Sequence, residues 1–197
     1  MRARDEQKEN AIRQEAMKAV VQKGLDGLSM QKLAHAANVS PATIYIYFKD
    51  REDLILQLCI TESERMVTAT LKDFDPKMSF GKGLKRQWKN RLNYWMENPL
   101  EAQFLEQIRH SQYGEKVFKM VKREFSTTMR EFVHGAIERK ELIPLPVEVY
   151  WSLAFSPLYA LIKFHISGKG FHSEKKYMLD DAQVNQAFAL VLKALTP

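Results

Sequence analysis

The segment from Ser29 to Lys49 constrains the fold more than any other part of the sequence, because it holds two short helical stretches close together. Ser29 and Ser40 are residues suited to cap the start of a helix. Pro41 then takes the first helical position, where its missing N–H costs nothing. Asn38 lies between the two stretches, and asparagine tolerates the left-handed backbone of a tight turn. The segment therefore predicts a helix-turn-helix.

Helical patterns also dominate the rest of the sequence. Glycine is scarce, at 8 of 197 residues, and no pair of alternating strands is joined by an Asn-Gly or Asp-Gly turn. We therefore predict an all-α chain. From caps, breakers and apolar spacing, we predict helices at residues 6–23, 30–37, 41–48, 51–73, 79–97, 99–111, 114–140, 146–167 and 177–195.

Composition limits the class of protein only loosely. The chain has 45% hydrophobic and 27% charged residues, which is ordinary for a globular protein. The net charge of +6 suits a polyanionic partner without requiring one. The single cysteine, Cys59, fits a reducing compartment. No secretory signal is found, and the apolar run 151–166 is shorter than the roughly 20 residues that span a membrane. We therefore expect a cytoplasmic protein.

The second helix of the pair offers a surface suited to DNA. Ile44 and Phe48 lie one turn apart and are predicted to face inward. The residues left for the outward side are Pro41, Ala42, Thr43, Tyr45 and Tyr47. Their hydroxyls suit phosphate oxygens, and their small apolar groups suit a thymine methyl. In the alternative interpretation, the two tyrosines are half-buried aromatics, and helical spacing alone does not decide between these interpretations.

Four stretches of the sequence carry a resemblance to a known family. They read VVQKG at 20–24, LSMQKLA at 28–34, NVSPATIYIYFK at 38–49 and EDL at 52–54. Together, over about residues 11–56, they resemble the DNA-binding domain of the TetR family of repressors. The resemblance implies an N-terminal three-helix helix-turn-helix DNA-binding domain and a C-terminal helical ligand-binding and dimerisation domain. We place their bounds at 1–50 and 74–197, with a connecting helix at 51–73.

The resemblance also implies separate roles for the residues of the helix-turn-helix. Phosphates would be held by Thr43, Tyr47 and Lys49, while bases would be faced by Pro41, Ala42 and Tyr45. Gln31 would reach a base edge, since glutamine pairs with adenine in the major groove. The chain departs from the family, which usually has glycine at the positions of Asn38 and Ala42 and commonly an aromatic at Ile46. These departures bear on which bases are read.

A small-molecule effector and a homodimer are implied for the second half of the chain. The candidate effector-lining residues are Trp88, Tyr94, Trp95, Phe104, Ile108, His110, Tyr113 and Phe125. Such a lining suits a hydrophobic, aromatic or planar cationic compound, although aromatic clusters of this kind are often plain core. The expected dimer interface consists of the apolar stretches 151–166 and 184–195, which lie in the last two helices. The alternative is that they form the core of the monomer.

A basic run in the middle of the chain has three interpretations. It contains Lys82, Lys85, Arg86, Lys89 and Arg91. We interpret it as a solvated helix face, and the alternatives are a second nucleic-acid site or a site for an anionic effector.

The resulting expectation is a ligand-responsive repressor that binds palindromic double-stranded operator DNA as a dimer and is released by a small hydrophobic effector. The alternative is a family member that binds DNA constitutively and acts through a protein partner. We expect no enzyme, catalytic residue, cofactor or metal. The five histidines make no convincing set of metal ligands. A di-iron protein needs two Glu-x-x-His motifs, and the sequence has only one, at 131–134.

Overall fold

The computed structural model describes residues 5–109, 111–171 and 176–197, and the side chains of residues 118 and 121–124 lie outside this description. The regular structure in these ranges is helical, so the prediction of an all-α chain is confirmed. A short 3-10 helix, Leu25–Gly27, lies between the first two α-helices. The α-helices are α1 (Glu6–Lys23), α2 (Met30–Ala36), α3 (Pro41–Tyr47), α4 (Arg51–Leu71), α5 (Phe80–Glu97), α6 (Pro99–Arg109), α7 (Gln112–Glu138), α8 (Val147–Ser167) and α9 (Asp181–Leu195).

The described residues form two compact units, and each unit is built from two separate segments of the chain. The first unit comprises residues 5–65 and 98–122, and the second comprises 66–97 and 123–197. In the first unit α6 packs on α1, and the side chain of Gln107 donates to the carbonyl of Val21 at 3.0 Å. The predicted bounds of 1–50, 51–73 and 74–197 do not place residues 98–122 with the N-terminal segment. That placement depends on packing between segments remote in sequence.

The ends of α1 follow from local interactions. Asp5 caps the helix, and its carboxylate accepts from the amides of Gln7 at 3.1 Å and Lys8 at 3.3 Å. Hydrogen bonding with Lys8 holds the pKa of Asp5 below its ordinary value. At the other end the backbone of Gly24 has a positive φ of 73°, which glycine adopts readily and which stops the helix. The buried face between these ends consists of Ile12, Ala16, Met17 and Val20.

Close packing of α5 organises the second unit. The indole N–H of Trp88 donates to the carbonyl of Ala154 on α8 at 2.7 Å. Gly83 lets α5 approach Phe132 on α7, since a Cβ at this glycine would lie 2.3 Å from the Phe132 ring. The side-chain amide of Asn90 donates to the carbonyl of Thr70 at 2.9 Å and so satisfies a group at the end of α4.

The predicted helix bounds agree with the structure to within two residues, except at the start of the last helix. We predicted 177–195, but α9 begins at Asp181. The reason is a capping box: the Asp180 carboxylate accepts from the amide of Gln183, and the Gln183 side chain accepts from the Asp180 amide. None of the described helices is both long and apolar enough to cross a membrane.

Candidate functional site

The turn between α2 and α3 has the conformation that the sequence predicts. Asn38 has φ 52°, in the left-handed region. The amide of Val39 reaches back to the carbonyl of Ala34 at 2.9 Å, which closes the end of α2. The pair of short helices joined by this turn is the unit that places a recognition helix in a DNA groove.

The two serine caps differ. The Ser40 hydroxyl accepts from the amide of Thr43 at 3.1 Å, and Pro41 follows in the first turn of α3. Ser29 has the extended backbone of a capping residue, but its side chain makes no capping hydrogen bond. Its carbonyl instead accepts from Leu33 at 2.8 Å, so α2 starts with a backbone bond alone. The start of α3 is therefore the better defined of the two.

The inward face of α3 is held by apolar contacts, as predicted. Ile44 and Phe48 are fully buried. The guanidinium of Arg13 on α1 lies 5.2 Å from the centre of the Phe48 ring, within the range of a cation–π contact. This anchoring fixes the orientation of α3, and it leaves the opposite side of the helix to solvent.

The outward face of α3 is exposed and carries no acidic residue. Pro41 and Ala42 are exposed, and Tyr45 is 54% exposed. The Thr43 hydroxyl lies 2.9 Å from that of Ser40, so it is partly committed to the cap. Gln31, on α2, is exposed as well. The structure thus presents most of the proposed base-facing residues to solvent.

Sequence reasoning missed one residue of this face. Ile46 is 44% exposed, although the predicted outward set did not include it. It follows Ala42 by four residues, and this spacing puts the two on the same side of a helix. Helical periodicity could therefore have identified it. A large exposed aliphatic side chain here adds apolar surface suited to a thymine methyl.

The outward placement of Tyr47 is wrong. Only 6% of this residue is exposed. Its hydroxyl donates to the carbonyl of Asp5 at 3.1 Å and accepts from the amide of Asp5 at 3.0 Å. Tyr47 follows Ile44 by three residues, so helix geometry places both on the inward side. Its suggested phosphate contact stays a prediction.

Lys49 follows α3 with its side chain exposed. Its amide donates to the Asp53 carboxylate at 2.8 Å, and the side chain of Gln57 donates to the same carboxylate at 2.9 Å. The hydrogen bond from Gln57 and then that from Lys49 hold the pKa of Asp53 below its ordinary value. Asp53 thus fixes the backbone at the start of α4 while the Lys49 ammonium stays available at the surface.

The candidate effector-lining residues are not gathered in one unit. The first unit contains Phe104, Ile108 and Tyr113, all buried. The second unit contains Trp88, Tyr94, Trp95 and Phe125, of which the first three are buried and the last is half-buried. His110 lies outside the described residues. Spacing along the chain suggested a single cluster, but its described members belong to two different compact units.

The basic run on α5 divides into exposed and buried members. Lys82, Lys85 and Lys89 are exposed, and Arg86 lies 3.7 Å from the Asp73 carboxylate. Arg91 is buried, so interpreting the whole run as a solvated face was wrong for this residue. The difference arises because the helix turns Arg91 toward α8, where its Nε donates to the Tyr159 hydroxyl at 3.1 Å.

Comparison with known sequences finds similarity to bacterial transcriptional regulators. Residues 12–58 match the family model of bacterial regulatory proteins of the tetR family. A protein of Haemophilus influenzae named as an uncharacterized HTH-type transcriptional regulator is 38% identical over 80 residues, which are 41% of this chain and 43% of that protein. The match thus spans less than half of this curated relative.

Solved structures extend the similarity over nearly the whole chain. A TetR family transcription regulator from Marinobacter aquaeolei superposes with a TM-score of 0.83 and 26% identity, covering 99% of this chain and 98% of that one. A TetR family protein from Vibrio parahaemolyticus gives a TM-score of 0.75 and 25% identity, covering 96% and 99%. Both units therefore have counterparts in proteins of this fold.

Proposed function

We propose that this chain is a repressor of the TetR family of bacterial transcriptional regulators, to which it is similar in sequence and fold, and that it binds a palindromic operator as a homodimer. A small effector bound by its C-terminal helices would release the DNA. The proposal concerns a cytoplasmic transcription factor rather than an enzyme. The observation that carries it is the face of α3, which is anchored from behind by Ile44 and Phe48 and open to solvent in front.

The side chains of this face support a reading of bases in the major groove. Tyr45 and Ile46 are large and exposed, and Ala42 lets the helix approach the base edges closely. Gln31 on α2 supplies the donor and acceptor pair that recognises adenine. Lys49 supplies a positive charge for a phosphate at the end of α3.

Operator binding can be tested by selecting the preferred site from random DNA and measuring affinity at several salt concentrations. We expect an inverted repeat. Lys49→Ala should weaken binding across all sequences and reduce the salt slope by about 1 per protomer, because it removes one charge that faces a phosphate. Lys85→Ala is the matched control, because Lys85 is exposed on α5. Selection without an inverted repeat, or equal salt slopes for both variants, would contradict the proposal.

A homodimer through α8 and α9 is supported by apolar side chains that these packed helices leave exposed. Val149 and Leu153 lie one turn apart on α8, and Leu190 is exposed on α9. A single short recognition helix covers only one half-site, so a palindromic operator requires two copies of the chain. An antiparallel or parallel pairing of two such helix pairs forms a four-helix bundle.

Sedimentation of the purified chain tests this interface. We expect a dimer, and Leu190→Glu should shift the chain toward monomer because it places a charge in an apolar contact. Met120→Glu is the control, since Met120 is also exposed but lies on α7. If both variants sediment like the unmodified chain, α9 is not the interface.

The effector response is supported by the aromatic content of the second unit, which includes Trp88, Tyr94, Trp95 and Phe125. Thermal melting and operator release with a panel of small apolar compounds test it, because a ligand that binds the native state raises the melting temperature. A compound that does both supports the repressor described above. If no compound does either, the constitutive DNA-binding alternative with a protein partner replaces it.

A further inference from the structure

Arg91 on α5 is buried, and none of the described residues gives it a carboxylate partner. Only 2% of the residue is exposed. Its Nε donates to the Tyr159 hydroxyl at 3.1 Å. Its Nη1 donates to the backbone carbonyl of Gln87 at 3.2 Å and also to the side-chain amide oxygen of Gln87. Among the residues that the structure describes, every hydrogen-bond acceptor of Arg91 is therefore neutral. Buried charges in proteins are normally paired, because desolvation costs several kcal/mol per ion.

Aromatic rings surround the guanidinium and compensate only in part for a counter-charge. Its central carbon lies 4.1 Å from the centre of the Phe155 ring, 5.5 Å from Trp151 and 5.9 Å from Phe125. Such contacts are weaker than a charge-assisted pair with a carboxylate. Burial accordingly lowers the pKa of Arg91 from its ordinary value, although arginine stays protonated at neutral pH.

Two further hydrogen-bond donors next to Arg91 have no partner within the described part of the chain. They are the indole N–H of Trp95, a residue 6% exposed, and the hydroxyl of Tyr150, a residue 3% exposed. The Trp95 ring lies 5.2 Å from that of Tyr159, which binds Arg91. The Tyr150 ring lies 6.2 Å from that of Phe155. Burial raises the pKa of Tyr150, while the charge of Arg91 acts in the opposite direction.

We propose that these residues, the Arg91 cluster of Arg91, Trp95, Tyr150, Trp151, Phe155 and Tyr159, bind the carboxylate of a small organic acid with an apolar body. The inference rests on the proposed function, because it names the chemical class of the effector. The cluster offers a positive fork and an indole donor, neither of which can accept a hydrogen bond, together with an unpaired hydroxyl. A carboxylate complements them, and the flat rings suit an apolar body.

The same cluster argues against a planar cationic effector, which the aromatic composition alone admitted. A cation would meet the charge of Arg91 at short range in a region shielded from water, where like charges repel strongly. A neutral apolar compound would leave the donors of Trp95 and Tyr150 unpaired, and an unpaired buried donor costs free energy. An anion with acceptor oxygens satisfies both requirements and also supplies the counter-charge that Arg91 lacks among the described residues.

Thermal melting of the full chain with matched acids and amides tests the ligand class. The probes are benzoate and octanoate at millimolar concentration, which distinguish an aromatic from an alkyl body, and the neutral amides benzamide and octanamide. Sodium chloride at equal ionic strength controls for salt. We expect at least one acid to raise the melting temperature in a saturable manner and its amide to have little effect.

Variants on α5 and α8 test the role of the cluster. Arg91→Met removes the charge but keeps an extended side chain, so the melting temperature without ligand should be at least as high as in the unmodified chain. Affinity for the acid should fall about tenfold or more. Tyr150→Phe removes only an unpaired hydroxyl and should weaken binding of the acid more than binding of the amide. Lys89→Met, at an exposed position of α5, should bind the acid normally.

Operator binding measured in parallel distinguishes failure of the carboxylate proposal from failure of the repressor proposal. If acids and amides act alike, if neither acid shifts the melting temperature, or if Arg91→Met keeps the acid response, the carboxylate proposal is overturned. In those cases the repressor proposal still stands provided that another compound releases the operator. If Arg91→Met fails to fold, an unchanged acid response in Tyr150→Phe overturns the proposal in its place.

Discussion

The hydroxyl of Tyr47, the last residue of α3, exchanges two hydrogen bonds with the backbone of Asp5, the residue that caps α1. The recognition helix and the beginning of the chain's first helix are thereby joined directly. A tyrosine that the family resemblance assigns to phosphate contact is, in this structure, part of the framework that holds α3. Its effect on DNA binding would then come through the orientation of α3.

Replacing Tyr47 by phenylalanine keeps the ring but removes both hydrogen bonds to Asp5. We expect Tyr47→Phe to lower the free energy of unfolding by on the order of 1 kcal/mol, the usual net worth of such a bond. Chemical denaturation without DNA measures this. Tyr45→Phe is the matched control, because Tyr45 is exposed, and it should leave stability unchanged. A Tyr47→Phe chain of normal stability but weakened operator affinity would instead favour direct phosphate contact.

Gln31 is exposed on α2, and the proposed function assigns its side-chain amide to a base edge. We expect Gln31→Ala to relax the preference at one base-pair position in each half-site while changing the salt dependence of binding little, because the amide carries no charge. The loss of discrimination at that position should be about 1–3 kcal/mol. Selection from random operator variants measures it. A uniform loss of affinity at all positions would show that Gln31 does not read a base.

The contact between Gly83 on α5 and the ring of Phe132 predicts a large effect of a single methyl group. A Cβ at Gly83 would lie 2.3 Å from a ring atom, so Gly83→Ala should destabilise the chain by about 1–3 kcal/mol through overpacking. Gly81→Ala on the same helix is the control, because its Cβ would meet Leu192 at an ordinary 3.7 Å. Thermal unfolding compares the two. Equal melting temperatures would mean that Phe132 moves aside freely.

Glu62 on α4 is buried, and desolvation raises its pKa above the ordinary value of 4.5 despite the ion pair with Arg65 at 2.9 Å. The buried carboxylate of Glu101 acts in the same direction, and Arg13 acts against it. A raised pKa in the folded state means that stability falls as pH rises through that pKa. Removing the charge of Glu62 should therefore raise the stability of the fold at neutral pH but not in acid.

The test of this linkage is the melting temperature of Glu62→Gln between pH 4 and pH 7. We expect the variant to melt above the unmodified chain at pH 7, and the difference should shrink as the pH falls toward the ordinary carboxylate value, 4.5. Glu64→Gln, at an exposed position of the same helix, should show no such trend. A difference independent of pH would contradict the assignment to Glu62.

The sequence by itself determined the local structure of the helix-turn-helix. The Ser40 cap, Pro41 in the first turn and the left-handed Asn38 depend on interactions within a few residues, so they could be predicted directly from the chain. The inward position of Ile44 and Phe48 followed from helical period alone. For the same reason the bounds of most helices were predicted closely, whereas the start of α9 needed the capping box at Asp180.

Only the tertiary structure decided which charged and polar side chains are removed from water. Arg91 belongs to a basic run in the sequence, but the packing of α5 on α8 buries it among aromatic rings while Lys89 stays exposed. Helical spacing places Tyr47 on the inward side with Ile44, but only the tertiary structure brings its hydroxyl against the backbone of Asp5. Burial and pairing depend on residues far apart in the chain, and local patterns carry no information about which distant groups will meet.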